Sequence, residues 1–410
     1  MNILLNEDKQ LELPKMYKVK QLFSNDKIDD VENCIKLQLN SKEILSIIRP
    51  GQKIALAVGS RGIRNIDFIV KTIADELKKL GAEPFVLSAM GSHGNGTSEG
   101  QREVLETYGI NKEKTGVDIV TNVDVNLIGK TKKGIDVYFD KIALQADLII
   151  PINRVKLHTD FIGELQSGMC KMLVIGLGNQ KGCSLIHEDD PANFAKTIEE
   201  SAEIILDKAN VGFGVAILEN SYHETAKIEI VLKDNLIERE KELVKISKEY
   251  FATLMIPDID ILVLEEIGKN ISGPGFDPNV LGRSPILTEY TMNIPKIKRM
   301  VLLDLTAESH GSGPGIGMFD IVTKKAVNKL DFEKTYTNVI AAKLIEEAKI
   351  PLIVDDEETA IKVAIKATRN LDKNSLKIVK IKNTLELENI QVSEALLNYV
   401  KKHEKMILID

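Results

Sequence analysis

Apolar residues run without a break through KIALAV (53–58), and the stretch that follows, NIDFIVKTIADELKKL (65–80), switches to helical spacing of apolar and charged positions. The first pattern predicts a strand buried on both faces, and the second an amphipathic helix with one buried side. Gly81 supplies the helix stop, and PFVLSAM (84–90) is the next strand, which completes a βαβ unit.

The alternation continues. A helix is expected from Ser98, where Ser98 and Gln101 have capping-box spacing, to Tyr108, with Gly109 ending it. ADLIIPINRV (146–155) reads as a buried strand and Asn193 to Asn210 as a helix. VGFGVAIL and IEIVL then read as strands, and NLIEREKELVKISKEYFATL as a charged helix closed by Pro257. DIDILVLEE begins a second strand-led series with KRMVLLDL, a helix after Met318, PLIVD and a short terminal helix. The expected fold class is α/β: two domains, residues 1–256 and 257–410, with largely parallel sheets flanked by helices. In such sheets ligands gather where loops leave the carboxyl ends of strands.

Composition narrows the function classes. With 43% hydrophobic and 28% charged residues, the 410-residue chain is of globular type, and its net charge of −7 is spread along the sequence. No basic stripe with interleaved aromatics is present, so the expected partner is a small molecule and not nucleic acid. Cys34, Cys170 and Cys183 match neither a disulfide framework nor a CxxC metal site, which suits a reducing cytoplasm. MNILLNEDKQ turns acidic before a signal-peptide core could form, and no stretch has the length of a membrane helix, so no membrane partner is expected.

The loops after the predicted strands carry the unusual chemistry. GSRGIRN brings Arg61 and Arg64, GSHGNGT brings His93, and KLHTDF brings Lys156 and His158. Alone, each has an ordinary reading: Arg64 as a solvated surface residue, His93 as part of a glycine-rich turn. Together they place two arginines and two histidines at one end of a sheet, and two histidines that titrate near neutrality suit a two-sided proton-transfer site. SGMCKMLVIGLGNQKGCSLIHE (167–188) adds Lys171 and His187, with Gly176, Gly178 and Gly182 between them. An amine buried among apolar neighbours loses its proton and becomes nucleophilic, and a neutral imidazole is a common ligand of transition metals. The ordinary readings are a lysine snorkelling to solvent, and a loop histidine ahead of a helix capped by Asp190 with Pro191 in its first turn.

HTDFIGELQSGMCKMLVIGLGNQKG followed by IHE, together with GSHG and SRGIRN, resembles the nickel-dependent lactate racemase family. The resemblance implies two α/β domains with the active site in a cleft between them and a nickel-pincer nucleotide as cofactor. By motif match, Lys171 would join the cofactor covalently and His187 would ligate nickel. His93 and His158 would be paired acid/base residues, and Arg64 would hold substrate. Gly91, Gly168 and Gly176 would let backbone pass close to the nucleotide. The implied reaction is racemisation or epimerisation of an α-hydroxy acid. One histidine takes the hydroxyl proton, hydride leaves and returns on the opposite face of a planar 2-oxo acid, and the other histidine supplies the proton. Proteins that make or deliver the cofactor would be further partners.

The pattern also departs from the family. Arg61 stands where lactate racemase has an aspartate, and an added cation beside the substrate implies a larger or more acidic hydroxy acid. In EEIGKNISGPGFDPNVLGR, Lys269 and Asn270 are the expected substrate contacts of the second domain, and Gly273, Pro274 and Gly275 mark a tight loop. SHGSGPGIG, with His310, reads either as a cleft loop or as a helix-entry turn. A nicotinamide dehydrogenase is the enzymatic alternative, but GxGxxG after a strand is absent. A non-catalytic binding protein of the same fold is the other alternative, although it would need no paired bases.

Overall fold

A strand absent from the sequence reading, β1 (Met16–Gln21), precedes the first apolar run and pairs with strands from the far end of the chain. The run itself forms β2 (Lys53–Val58), of which every residue after Lys53 is buried. A computed structural model describes residues 3–409, and these divide into two compact units, residues 24–251 and residues 3–23 with 252–409.

In the first unit, α1 (Ile66–Lys79) follows β2 and buries Ile66, Ile69, Val70, Ile73 and Leu77, the apolar stripe that its spacing encodes. These residues join Ile54, Leu56 and Val58 of β2 in one hydrophobic core. β3 (Glu83–Ser88) returns parallel to β2, and α2 (Ser98–Thr107) follows. Thr97, not Ser98, caps α2: its hydroxyl accepts the Gly100 N–H at 3.1 Å. Gln101 is withdrawn from any capping box because it is buried, accepting from the Ser88 hydroxyl at 2.6 Å. Next come β4 (Ile119–Val120), a hairpin of β5 (Val125–Lys130) and β6 (Asp136–Asp140), and β7 (Leu148–Arg154). β8 (Phe213–Glu219) and β9 (Thr225–Leu232) complete a six-stranded sheet of order β4-β3-β2-β7-β8-β9. All its pairings are parallel except β8–β9.

The chain leaves β2 toward β3 and later returns to β2's other edge as β7. The carboxyl ends of β2 and β7 therefore flank a topological switch point, the place where open α/β sheets bind ligands.

The second unit holds an eight-stranded sheet. Its parallel part is β10 (Asp258–Leu264), β11 (Lys296–Leu302), β12 (Ile321–Thr323), β13 (Leu352–Val354) and β14 (Ile378–Ile381). β15 (Asn389–Ser393), β1 and β16 (Met406–Ile409) extend it antiparallel. The α/β class with largely parallel sheets thus stands. The domain limits differ at the N-terminus: residues 3–23 belong to the second unit because Val19 of β1 pairs with Ile390 and Leu408. After Met318 the chain forms β12 before any α-helix, since IVT is too short a run to be told from a helix start by periodicity. Among the described residues no helix is long and apolar enough to cross a membrane.

Candidate functional site

The loop that leaves β7 folds back on itself. Lys156 and Ser167 exchange backbone hydrogen bonds of 3.0 and 3.1 Å, and the buried Gln166 side chain accepts the His158 N–H at 2.6 Å. His158 is thereby held over the start of the next helical stretch: α3 (Met169–Lys171), a π-helical turn over Met172–Gly176, and α4 (Asn179–Ile186) after a break. Single π turns within helices are frequent at functional sites. Lys171 sits at their junction, and its amine meets His158 Nε2.

Burial sets the charge of both side chains, and the lysine acts in turn on the histidine. Burial, followed by the cations of Lys171, Lys156, His187 and Arg61, holds the His158 imidazolium well below the usual histidine range. Burial likewise pushes Lys171 down to about 8, with Asp160 opposing and Arg61 reinforcing the shift. The Asp160 N–H donates to His158 Nδ1 at 3.0 Å, so when Lys171 is the neutral amine the ring carries its proton on Nε2 and donates it to the lysine. Phe161 is buried, stacks on His158 at 4.2 Å and meets Phe194 edge-on at 5.7 Å; Phe194 in turn meets His187 edge-on at 5.5 Å. His187 is the C-cap of α4 and is half-buried. A row of four rings thus links the two histidines of this group.

Arg61, after β2, belongs to the group through its charge on both His158 and Lys171. Surrounding protein lowers its own pKa, although much of the side chain stays accessible. His93, after β3, is exposed, and its Nδ1 meets the hydroxyl of Ser60, the residue before Arg61. The Gln101 amide steadies the same loop by donating to the Gly91 carbonyl at 3.4 Å.

Other expected positions lie elsewhere. Arg64 turns away: its N–H donates to Glu219 at 2.7 Å, and it lines a separate cavity of about 440 Å³ with Lys27, Asp29 and Glu224. Of the two arginines, Arg61 is the one whose charge reaches His158. Lys269 and Asn270 are exposed in the second unit, beyond the end of β10. Lys269 donates to the Asn338 side-chain oxygen Oδ1, and Asn270 Oδ1 accepts the Thr306 hydroxyl at 2.7 Å. His310 holds a left-handed turn with φ 46°.

The three glycines expected at a nucleotide face protein instead. A Cβ on Gly176 would lie 2.7 Å from the Ala89 carbonyl oxygen, one on Gly91 3.2 Å from the Ile175 carbonyl oxygen, and one on Gly168 2.5 Å from the Glu240 carboxyl. Their role in this structure is close backbone packing of the 168–176 stretch. Among the described residues, no group of three or more His, Cys, Asp or Glu is arranged to hold a metal ion.

Ser60, Asp160, Gln166 and Glu240 escaped the sequence reading. Asp160 and Ser60 lay inside the quoted loops, but only the folded geometry shows what they touch.

A lysine and histidines gathered at the switch point of a parallel α/β sheet define the class of site. Residues 1–197, just under half of the chain, match the family model for the lactate racemase N-terminal domain. The fold is similar to that of the lactate racemase apoprotein from Thermoanaerobacterium thermosaccharolyticum, at 14% identity, 90% of this chain, 99% of that one and a TM-score of 0.56. It is also similar to a structural-genomics crystal structure of a Thermotoga maritima protein, at 15% identity, 80% of this chain, 85% of that one and a TM-score of 0.53. At such identities the likeness concerns the fold. No curated protein matches the chain.

Proposed function

We propose that this protein is a racemase or epimerase of an α-hydroxy acid that works with a nickel-pincer nucleotide. The observation that carries the reading is the contact between His158 and a Lys171 amine whose pKa is pushed down to about 8, in a chain whose residues 1–197 match the lactate racemase N-terminal domain. At that pKa roughly a fifth of the amine is neutral near physiological pH, far more than for an ordinary lysine, and a neutral amine is what covalent attachment requires. The donor set fits the group as well: one half-buried histidine, His187, is too little to hold a metal alone, but suits a ligand that brings its own donors.

In this reading Lys171 would tether the cofactor and His187 would ligate its nickel. When bound, the cofactor would supply the two-electron acceptor for the bond broken at the substrate's α-carbon. The remaining work falls to side chains. Arg61 would attract the substrate carboxylate, which favours acids with a further anionic or polar group over unsubstituted lactate. His158, kept neutral by burial and by neighbouring cations, would exchange a proton with the substrate hydroxyl. His93 would serve the opposite face, oriented by Ser60.

The test is the intact mass and visible spectrum of the protein produced in cells that make the nickel-pincer nucleotide, beside Lys171→Ala. A nucleotide-sized, nickel-containing adduct lost in the variant supports the reading, and a panel of α-hydroxy acids then identifies the substrate by loss of optical purity. An unmodified protein under conditions that load a lactate racemase overturns it.

A further inference from the structure

Glu240 lies on α5 (Leu236–Ser247), a helix rich in charge that packs beside β8 and α3. Its neighbours in sequence, Arg239, Lys241 and Glu242, form surface ion pairs, but Glu240 is fully buried. Its Oε2 accepts the backbone N–H groups of Met169 at 2.5 Å and of Cys170 at 3.0 Å. These are N–H groups of the first turn of α3, which have no partner within the helix, and a carboxylate there also meets the positive end of the helix dipole. Lys171 is the next residue. The carboxyl comes so close that residue 168 can be nothing larger than glycine without a shift, and the Gly168 carbonyl is fixed from the other side by the Asn153 amide at 2.7 Å.

We propose that Glu240 is a positioning residue for Lys171: by clamping the two N–H groups ahead of it, the carboxyl fixes the helix start that presents the lysine amine to His158. This rests on Lys171 as the functional amine of the site, but not on any bound cofactor. No salt bridge to Lys171 is involved. Glu240 acts through the backbone, so a side chain with the same acceptor and no charge keeps the clamp, and one without an acceptor loses it.

The experiment is trace acetylation of the cofactor-free full-length protein with acetic anhydride across the alkaline range, read at Lys171 by peptide mass spectrometry. Glu240→Ala, Glu240→Asp and Glu240→Gln are compared with the parent, and each is first checked by thermal melting. Freed from its place, the amine gains water, and its titration midpoint moves up from about 8 toward the ordinary 10.5, so labelling at neutral pH falls roughly tenfold or more in Glu240→Ala. Glu240→Gln stays within about twofold of the parent, because the amide oxygen still accepts both N–H groups. If Glu240→Ala does not fold, Glu240→Asp, one methylene shorter, reads the same quantity. A Lys171 midpoint that stays at the parent value in the variants that fold overturns the proposal, as does a Glu240→Gln that behaves like Glu240→Ala. Cofactor loading is a separate readout, so failure here leaves the assignment of Lys171 as the attachment point to its own test.

Discussion

His158 and Lys171 meet through Nε2 and Nζ while the Asp160 N–H occupies the other ring nitrogen at 3.0 Å. An imidazolium would have to present a proton at Nδ1 to a group that is itself a donor, so the backbone disfavours the cation in addition to burial. His158 is therefore expected to stay neutral from alkaline pH down to well below the ordinary 6.5, with its proton on Nε2 above about pH 8, where the Lys171 amine can accept it. Two-dimensional ¹H–¹⁵N spectra of histidine-labelled protein check this directly: an imidazolium signal for His158 near that value would contradict the geometry.

Lys171 carries a cost that pH exposes. Its pKa falls from 10.5 unfolded to about 8 folded, so between those values the unfolded chain holds the extra proton and stability rises with pH. Below about 8 the full penalty is present, on the order of 3 kcal/mol for that shift. Lys171→Met, similar in length and uncharged, is expected to stabilise the unit of residues 24–251 by roughly that amount near neutrality. The advantage shrinks as pH rises through the window and is gone by about 10.5, which urea unfolding at a series of pH values measures.

The two arginines of the loop after β2 separate in the same kind of experiment. Arg61 is among the cations that depress His158, whereas Arg64 lines the cavity with Lys27 and Glu224. Arg61→Ala should raise the His158 midpoint and weaken binding of a dicarboxylate more than of a monocarboxylate. Arg64→Ala should change neither. An NMR titration of His158 and calorimetry with the two acids distinguish them.

Much of this was readable before folding. β2, β3, β7, β8 and β10 announce themselves because both faces are covered, which leaves continuous apolar runs in the sequence. β1 does not: in MYKVKQ only Val19 and Gln21 are buried, and the partners that make it a strand lie at residues 389–393 and 406–409. His158, Lys171 and His187 stood out through residue type and the family resemblance. Their partners did not, because Asp160 acts through its backbone and Glu240 looks like any other charge on EREKE until α5 is seen to turn it inward. The glycines are legible only in part, for a related reason. A close approach is visible in sequence, but not whether ligand or protein does the approaching.

Gly176 tests that last point. Its missing Cβ faces the Ala89 carbonyl oxygen at 2.7 Å, and the Gly176 carbonyl accepts the Gly91 N–H at 3.1 Å, so the turn that follows Lys171 is pressed against the His93 loop. Backbone cannot swing aside as a side chain does. Gly176→Ala is therefore expected to cost about 1–3 kcal/mol of stability and to loosen the His93 loop. A shifted denaturation midpoint, together with faster hydrogen exchange at Gly91 N–H, is the result that checks it.

Glu240 supplies the prediction in which charge and clamp come apart. Burial raises its pKa from 4.5 to about 7, so between those values the folded chain holds the proton that the unfolded chain has released, and stability falls as pH rises. The favourable contribution is complete below about 4.5 and lost once pH passes about 7. Gln mimics the protonated form. Glu240→Gln should therefore match the parent in acid and exceed it above neutrality by on the order of 3 kcal/mol, the size of the shift. Glu240→Ala should be less stable than Glu240→Gln at every pH, because the Met169 and Cys170 N–H groups are left buried without an acceptor. Parallel urea titrations of the three proteins in acid and above neutrality decide the matter: a Glu240→Gln curve that runs a constant distance from the parent at all pH values would mean that folding leaves the Glu240 pKa unshifted and that burial exacts no charge penalty at the helix start.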